Sequence, residues 1–127
     1  GNGDEALVIF TRLMDRGLDG VRLTAGFLDA YLGATDPSSS DAHRLHWMLQ
    51  RHQAGVTLNS DLAGRLAMCL VRAKAPEKAI KLLEDIVRAN PEERGTRLRL
   101  ADALVAAGEH KRAHHHYRAL LAGTRGR

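Results

Sequence analysis

Apolar residues recur along this chain three and four positions apart, and no stretch alternates apolar with polar residues in the manner of a strand. Residues 4–16 set Ala6, Leu7, Phe10, Leu13 and Met14 on one helical face, which Gly17 ends with a left-handed cap. Thr24 is the expected cap of a second helix carrying Phe27, Leu28, Tyr31 and Leu32, ending near Gly33 before the loop at 36–40. Ser40 is the expected cap of a third, with Ala42, Leu45, His46, Leu49 and Gln53 inward and Gly55 as its stop. Ser60 is the expected cap of a fourth helix, with the stripe Leu62, Leu66, Cys69, Leu70 and Ala73. Pro76 opens a fifth, since a first-turn proline loses no hydrogen bond; Ala79, Ile80, Leu83, Ile86 and Val87 line it, and Asn90-Pro91 closes it. The sixth, 94–107, carries Leu98, Leu100, Ala101 and Leu104 and ends at Gly108; the seventh, 110–122, carries Ala113, Tyr117, Leu120 and Leu121.

The seven helices share a period. An alanine follows a turn and precedes large apolar residues at Ala6, Ala42, Ala79 and Ala113, in steps of 36, 37 and 34 residues. A small side chain early in the second helix of a pair lets two helices approach closely, and the apolar residues beyond it bury the seam. The pattern predicts an all-α fold: an α-solenoid of stacked antiparallel helix pairs, about seven helices in one domain. The expected units are a partial repeat at 4–20 and repeats at 21–59, 60–93 and 94–127. Because the first helix then falls at the second position of a pair, the chain reads as a piece of a longer solenoid. Self-association through its exposed ends is expected, with Phe10, Leu13 and Met14 the residues most open to it.

The last 68 residues resemble two tetratricopeptide repeats of 34 residues. Leu66, Ala67, Leu70, Ala79, Leu83, Val87 and Pro91 fall on signature positions of the first, and Leu100, Ala101, Leu104, Ala113 and Tyr117 on those of the second, with Gly108 in the usual turn. The bulky first signature position is instead Ala63 and Arg97, and no proline closes the last unit. Residues 4–59 are more similar to pentatricopeptide repeats, through Glu5-Ala6-Leu7-Val8-Ile9-Phe10, Leu13-Met14, Gly17-Leu18, Thr24 and Phe27-Leu28-Asp29-Ala30-Tyr31, then less closely through Asp41-Ala42, Met48-Leu49 and Gly55-Val56-Thr57-Leu58-Asn59. That family reads single-stranded RNA through a polar residue early in each first helix. Gly26, Arg65 and Arg99 stand at those positions here, and none is the Asn, Ser or Thr that base reading requires. One tetratricopeptide variant clamps a C-terminal carboxylate with Lys, Asn and Arg; only Arg72 suits that part, so the resemblance implies no such clamp.

Composition narrows the classes. The 127 residues include one cysteine, so no internal disulfide is available and a reducing intracellular setting is expected. No apolar run approaches the ~20 residues of a membrane span, and no membrane partner is expected. The net charge of +4 is unevenly placed. Residues 94–127 carry eight Lys/Arg against Asp102 and Glu109, whereas residues 1–93 carry eleven against thirteen acids. Nucleic-acid binding gains from basic charge along a whole track, so a terminal cluster speaks less for RNA than for an acidic protein or a solvated face.

The candidate chemistry is correspondingly thin. No acid/base carboxylate pair, activated nucleophile or phosphate-cradling loop is present, so the chain is expected not to be an enzyme and to need no cofactor. His110 and His114 share a helical face and are a weak metal candidate, short of the four ligands a structural zinc wants. Cys69 reads as core, and Trp47, flanked by His46 and Met48, as packing between helices three and four, with a binding anchor as its alternative. The expected site is a groove of helices two, four and six that holds a protein or peptide segment. Asp61, Met68, Val71, Arg72, Asp102 and Val105 would line it. The alternative partner is RNA, held on its phosphates by Arg65, Arg99 and the terminal arginines.

Overall fold

The computed structural model describes residues 2–55 and 58–125; Gly1, Val56, Thr57, Gly126 and Arg127, on which parts of the sequence reading fall, lie outside the described residues. Seven helices form: α1 (Asn2–Asp15), α2 (Val21–Gly33), α3 (Ser39–Gln53), α4 (Ser60–Arg72), α5 (Pro76–Ala89), α6 (Arg94–Ala106) and α7 (His110–Arg125). No strand occurs among the described residues. The fold is an all-α helical repeat, as the periodicity predicts.

Three expected caps shift by a few residues. Helix α2 starts behind Gly20, whose φ of 123° suits glycine, and Thr24 lies inside its first turn. Helix α3 is capped by Ser38 rather than Ser40. Ser38 Oγ accepts from the Asp41 amide while Asp41 Oδ2 accepts from the Ser38 amide, a reciprocal box that needs an acid three residues after the cap. Ser40 has His43 at that distance, which cannot complete the box. Helix α4 is capped by Asn59, whose Oδ1 accepts from the Leu62 amide at 2.9 Å; Ser60 is already helical. Pro76 opens α5 as expected.

Helices α2, α4 and α6 lie side by side as one layer. Helix α5 packs on both α4 and α6, α7 on α6, and α1 on α2. The close approach of α1 and α2 rests on Gly3, where a Cβ would lie 2.3 Å from the Gly33 carbonyl carbon. Helix α3 packs on α4 and scarcely touches α2, so the two consecutive helices stand apart.

The 34-residue register is preserved in three dimensions. Helix α4 spans Ser60–Arg72 and α6 spans Arg94–Ala106, while α5 starts at Pro76 and α7 at His110. Leu66, Ala67, Leu70 and Ala79 are buried, and so are their counterparts Leu100, Ala101, Leu104 and Ala113. Even the turns match. Ala75 N–H donates to the Leu70 carbonyl and Lys74 N–H to that of Val71; Glu109 donates to Leu104 and Gly108 to Val105 in the same pattern. Lys74 and Gly108 both adopt positive φ, 68° and 80°.

Several side chains depart from the expected faces. On α3, Met48 is buried with Leu45 and Leu49, whereas Gln53 is exposed, because α3 leans mainly on α4. Leu98 is exposed on α6, and Thr96 takes the inward place one turn before Leu100. On α1 the exposed aliphatics are Val8 and Ile9; Phe10, Leu13 and Met14 are half-buried. The ring of Phe10 lies over Gly26, where a Cβ would be 2.3 Å from it.

Candidate functional site

The solvent side of the α2–α4–α6 layer brings together most of the residues the sequence singles out. Its electrostatics are set by how each arginine is already engaged. Arg65 Nη1 lies 3.1 Å from Asp29 Oδ2 on α2, and its Nη2 lies 3.1 Å from Asp61 Oδ2 one turn back on α4. Two carboxylates around one guanidinium leave this edge acidic. Both pairs are largely exposed, so they position side chains more than they stabilise the fold.

Arg72 points elsewhere. Its Nη1 donates to the Leu32 carbonyl at 3.0 Å, and its Nη2 donates to the Ala34 carbonyl. These are carbonyls at the C-terminal end of α2, where a cation both satisfies acceptors and opposes the helix dipole. Arg72 therefore joins α4 to α2 and offers little to a ligand.

Arg99 is the exception. Its side chain lies across Gly64, where a Cβ would be 2.3 Å from Nη1 and 3.6 Å from Cδ. The absence of a side chain at residue 64 makes the seat. No carboxylate pairs with Arg99 among the described residues. Beyond it on α6, Asp102 accepts a hydrogen bond from the Tyr117 hydroxyl at 2.7 Å, and this bond raises the phenol above its ordinary value. Val105 and Leu98 are exposed on α6, while Met68 and Val71 on α4 are half-buried. The layer thus presents an acidic edge, a central guanidinium and apolar positions between them.

Of the three positions that the pentatricopeptide resemblance aligns with base reading, two are already engaged and the third, Arg99, rests on a glycine. Gly26 lies under Phe10, Arg65 is held by two carboxylates, and Arg99 rests on Gly64. The histidines do not assemble a ligand set. His110 and His114 are exposed, and no group of three His, Cys, Asp or Glu residues among the described residues is placed to hold a metal ion. His116 instead faces Arg97, with its Nδ1 3.3 Å from Nη1. Cys69 is fully buried, donates to the Leu28 carbonyl at 3.4 Å, and has its thiol pushed by burial up to about 12, which removes it as a nucleophile.

A second feature was missed in the sequence. The gap between α2 and α3 forms a cavity of about 550 Å³ lined by Met14, Leu18, Val21, Trp47, Met48 and Arg51, among others. Trp47 is 50% exposed at its mouth, with the Arg51 guanidinium 4.8 Å above its ring, rather than packed between α3 and α4. The available signal was the spacing of Trp47 and Arg51 at i, i+4, read beside the two glycines that bracket Leu18 and Asp19.

Residues 70–126 match the tetratricopeptide repeat family model, a stretch that runs from the end of α4 through α5, α6 and α7. Searches of curated proteins and of solved structures each gave no match. No described helix is long and apolar enough to cross a membrane.

Proposed function

We propose, from the premise that this chain is a tetratricopeptide-like helical repeat, that it is a scaffold module holding an extended segment of a partner protein along the α2–α4–α6 layer. Repeats of this kind bind protein partners and are generally not enzymes. The observation that carries the reading is Arg99 laid on Gly64 without a carboxylate, close to exposed Leu98. A seated guanidinium loses little freedom on binding, and a charge-assisted hydrogen bond from it fixes the register of a ligand whose apolar side chains meet Met68, Leu98 and Val105. The complementary segment carries one acidic residue among apolar ones. Asp61 and Asp29 repel a second acid at the α2 edge and set the direction of the chain.

A displayed peptide library panned on the protein tests this. Selected peptides are expected to share a carboxylate beside large apolar residues. Arg99→Gln is expected to weaken them about tenfold, the loss of one charge-assisted hydrogen bond. Gly64→Ala separates binding from folding. The clash falls on the far end of a flexible side chain, so stability holds or rises by up to about 1 kcal/mol from helix propensity, while affinity falls as Arg99 leaves its seat. Peptides that bind both variants as well as the parent would sink the proposal. So would single-stranded RNA that binds with sequence preference at physiological salt, which would instead favour an RNA-binding module.

A further inference from the structure

The cleft between α2 and α3 has the chemistry of a second docking surface. Its floor is apolar and includes two methionines, Met14 and Met48, whose flexible thioethers adapt to varied apolar shapes. Leu18 and Val21, 54% and 63% exposed, form a ridge at its edge. A second open cavity of about 530 Å³ lies against the same ridge and is also lined by Phe10 and Arg22. The apolar surface therefore continues over Leu18 and Val21 from one hollow to the next, farther than a small molecule seated in either would reach.

The charge at these hollows leans basic once the pairing of Arg44 with Asp15 is set aside. Arg44 and Arg51 line the first and Arg22 the second, against Asp19, which lines both. Arg44 Nη2 is 2.5 Å from Asp15, yet its Nε is buried and has no hydrogen-bond partner among the described residues. Arg51 lies over Trp47 with no carboxylate partner among the described residues. An unpaired guanidinium beside an apolar floor calls for an acidic ligand with apolar anchors.

We propose that this cleft docks an acidic amphipathic helix of a partner protein, with anchors one turn apart entering the two hollows on either side of the Leu18–Val21 ridge and acidic residues meeting Arg51 and Arg22. The site is separate from the α2–α4–α6 face, so the protein joins two partners rather than holding one.

Trp47 is the sole tryptophan, and its half-exposed ring reports on the cleft directly. The probe is a stapled helical peptide with leucines four residues apart flanked by glutamates; its counterpart replaces the glutamates with lysines. The glutamate probe is expected to shift Trp47 emission to the blue and saturate, and Arg51→Gln to weaken it about tenfold. Leu18→Asp, at an exposed position, is expected to abolish binding with an unchanged circular dichroism spectrum. Gly64→Ala and Arg99→Gln leave this binding intact, so its failure and that of the first face are told apart. Equal binding of the glutamate and lysine probes overturns the proposal, as does undiminished binding to Arg51→Gln. A simple fatty-acid anion that shifts Trp47 emission where the glutamate probe does not would assign the cleft to a small amphiphile and overturn it equally.

Discussion

His46 and His116 each sit beside a cation, with His46 Nδ1 3.2 Å from Lys78 Nζ and His116 Nδ1 3.3 Å from Arg97 Nη1. Only a neutral imidazole accepts such a hydrogen bond. Burial lowers both histidines below their ordinary value, and the neighbouring Lys78 and Arg97 lower them further. The folded state therefore binds fewer protons than the unfolded one in this range, and stability rises with pH there. The histidine contribution is complete above the unfolded value of about 6.5 and is lost as pH falls through the lower folded values. Thermal melts from neutral to mildly acidic pH are expected to show a falling midpoint, and His46→Gln with His116→Gln to flatten that fall. A double variant with the parent's slope would refute the assignment. Sequence pattern did not reveal these roles. Histidines bunched at 110–116 invite a metal reading, and only the placement of Arg97 at a normally apolar repeat position hinted that one of them serves a pair across the hairpin.

At the scale of the element, the choice of cap decides where a helix begins. Three serines in a row make residues 38–40 degenerate to a rule that asks for serine alone. The box with Asp41 resolves it, because only Ser38 has the acid at the required distance. Ser38→Ala is expected to cost about 1 kcal/mol in denaturant unfolding, whereas Ser40→Ala, inside the helix, is close to neutral or slightly favourable. Equal losses at both positions would contradict this capping geometry. The face that α3 buries was less legible than its start. Period alone admits Leu45 and Leu49 with either Gln53 or Met48, and the outcome turns on α3 lying against α4 and not α2. That is a tertiary fact, and it also explains how Trp47 comes to stand at a cleft.

For the whole molecule, α4 is the hub, since α2, α3, α5 and α6 all pack on it. Phe27, Leu28, Leu45, Leu66, Leu70, Leu83, Leu100 and Leu104 are fully buried, and all lie on these five helices. Hydrogen exchange is expected to be slowest in α4, α5 and α6, and faster in α1 and α3, each held mainly through one other helix. Uniform protection would show a flatter energy landscape than this packing implies. The C-terminal half was the most legible part of the chain because one mould is used twice, so each apolar position is stated by two residues 34 apart. The N-terminal half lacks that redundancy, and its open cleft had no second copy to announce it.

The doubled mould carries one asymmetry, at the turns where Lys74 and Gly108 share a left-handed backbone. Glycine takes that shape freely, whereas a lysine there bears a cost of roughly 1–2 kcal/mol. Lys74 also follows directly on the C-terminal end of α4, where the helix dipole favours a cation by about 0.3–1 kcal/mol. One turn is held by conformational freedom and the other in part by a field. Dissolved salt screens the field and leaves the freedom untouched, so rising ionic strength loosens the α4–α5 turn selectively and makes two geometrically equal joints unequal.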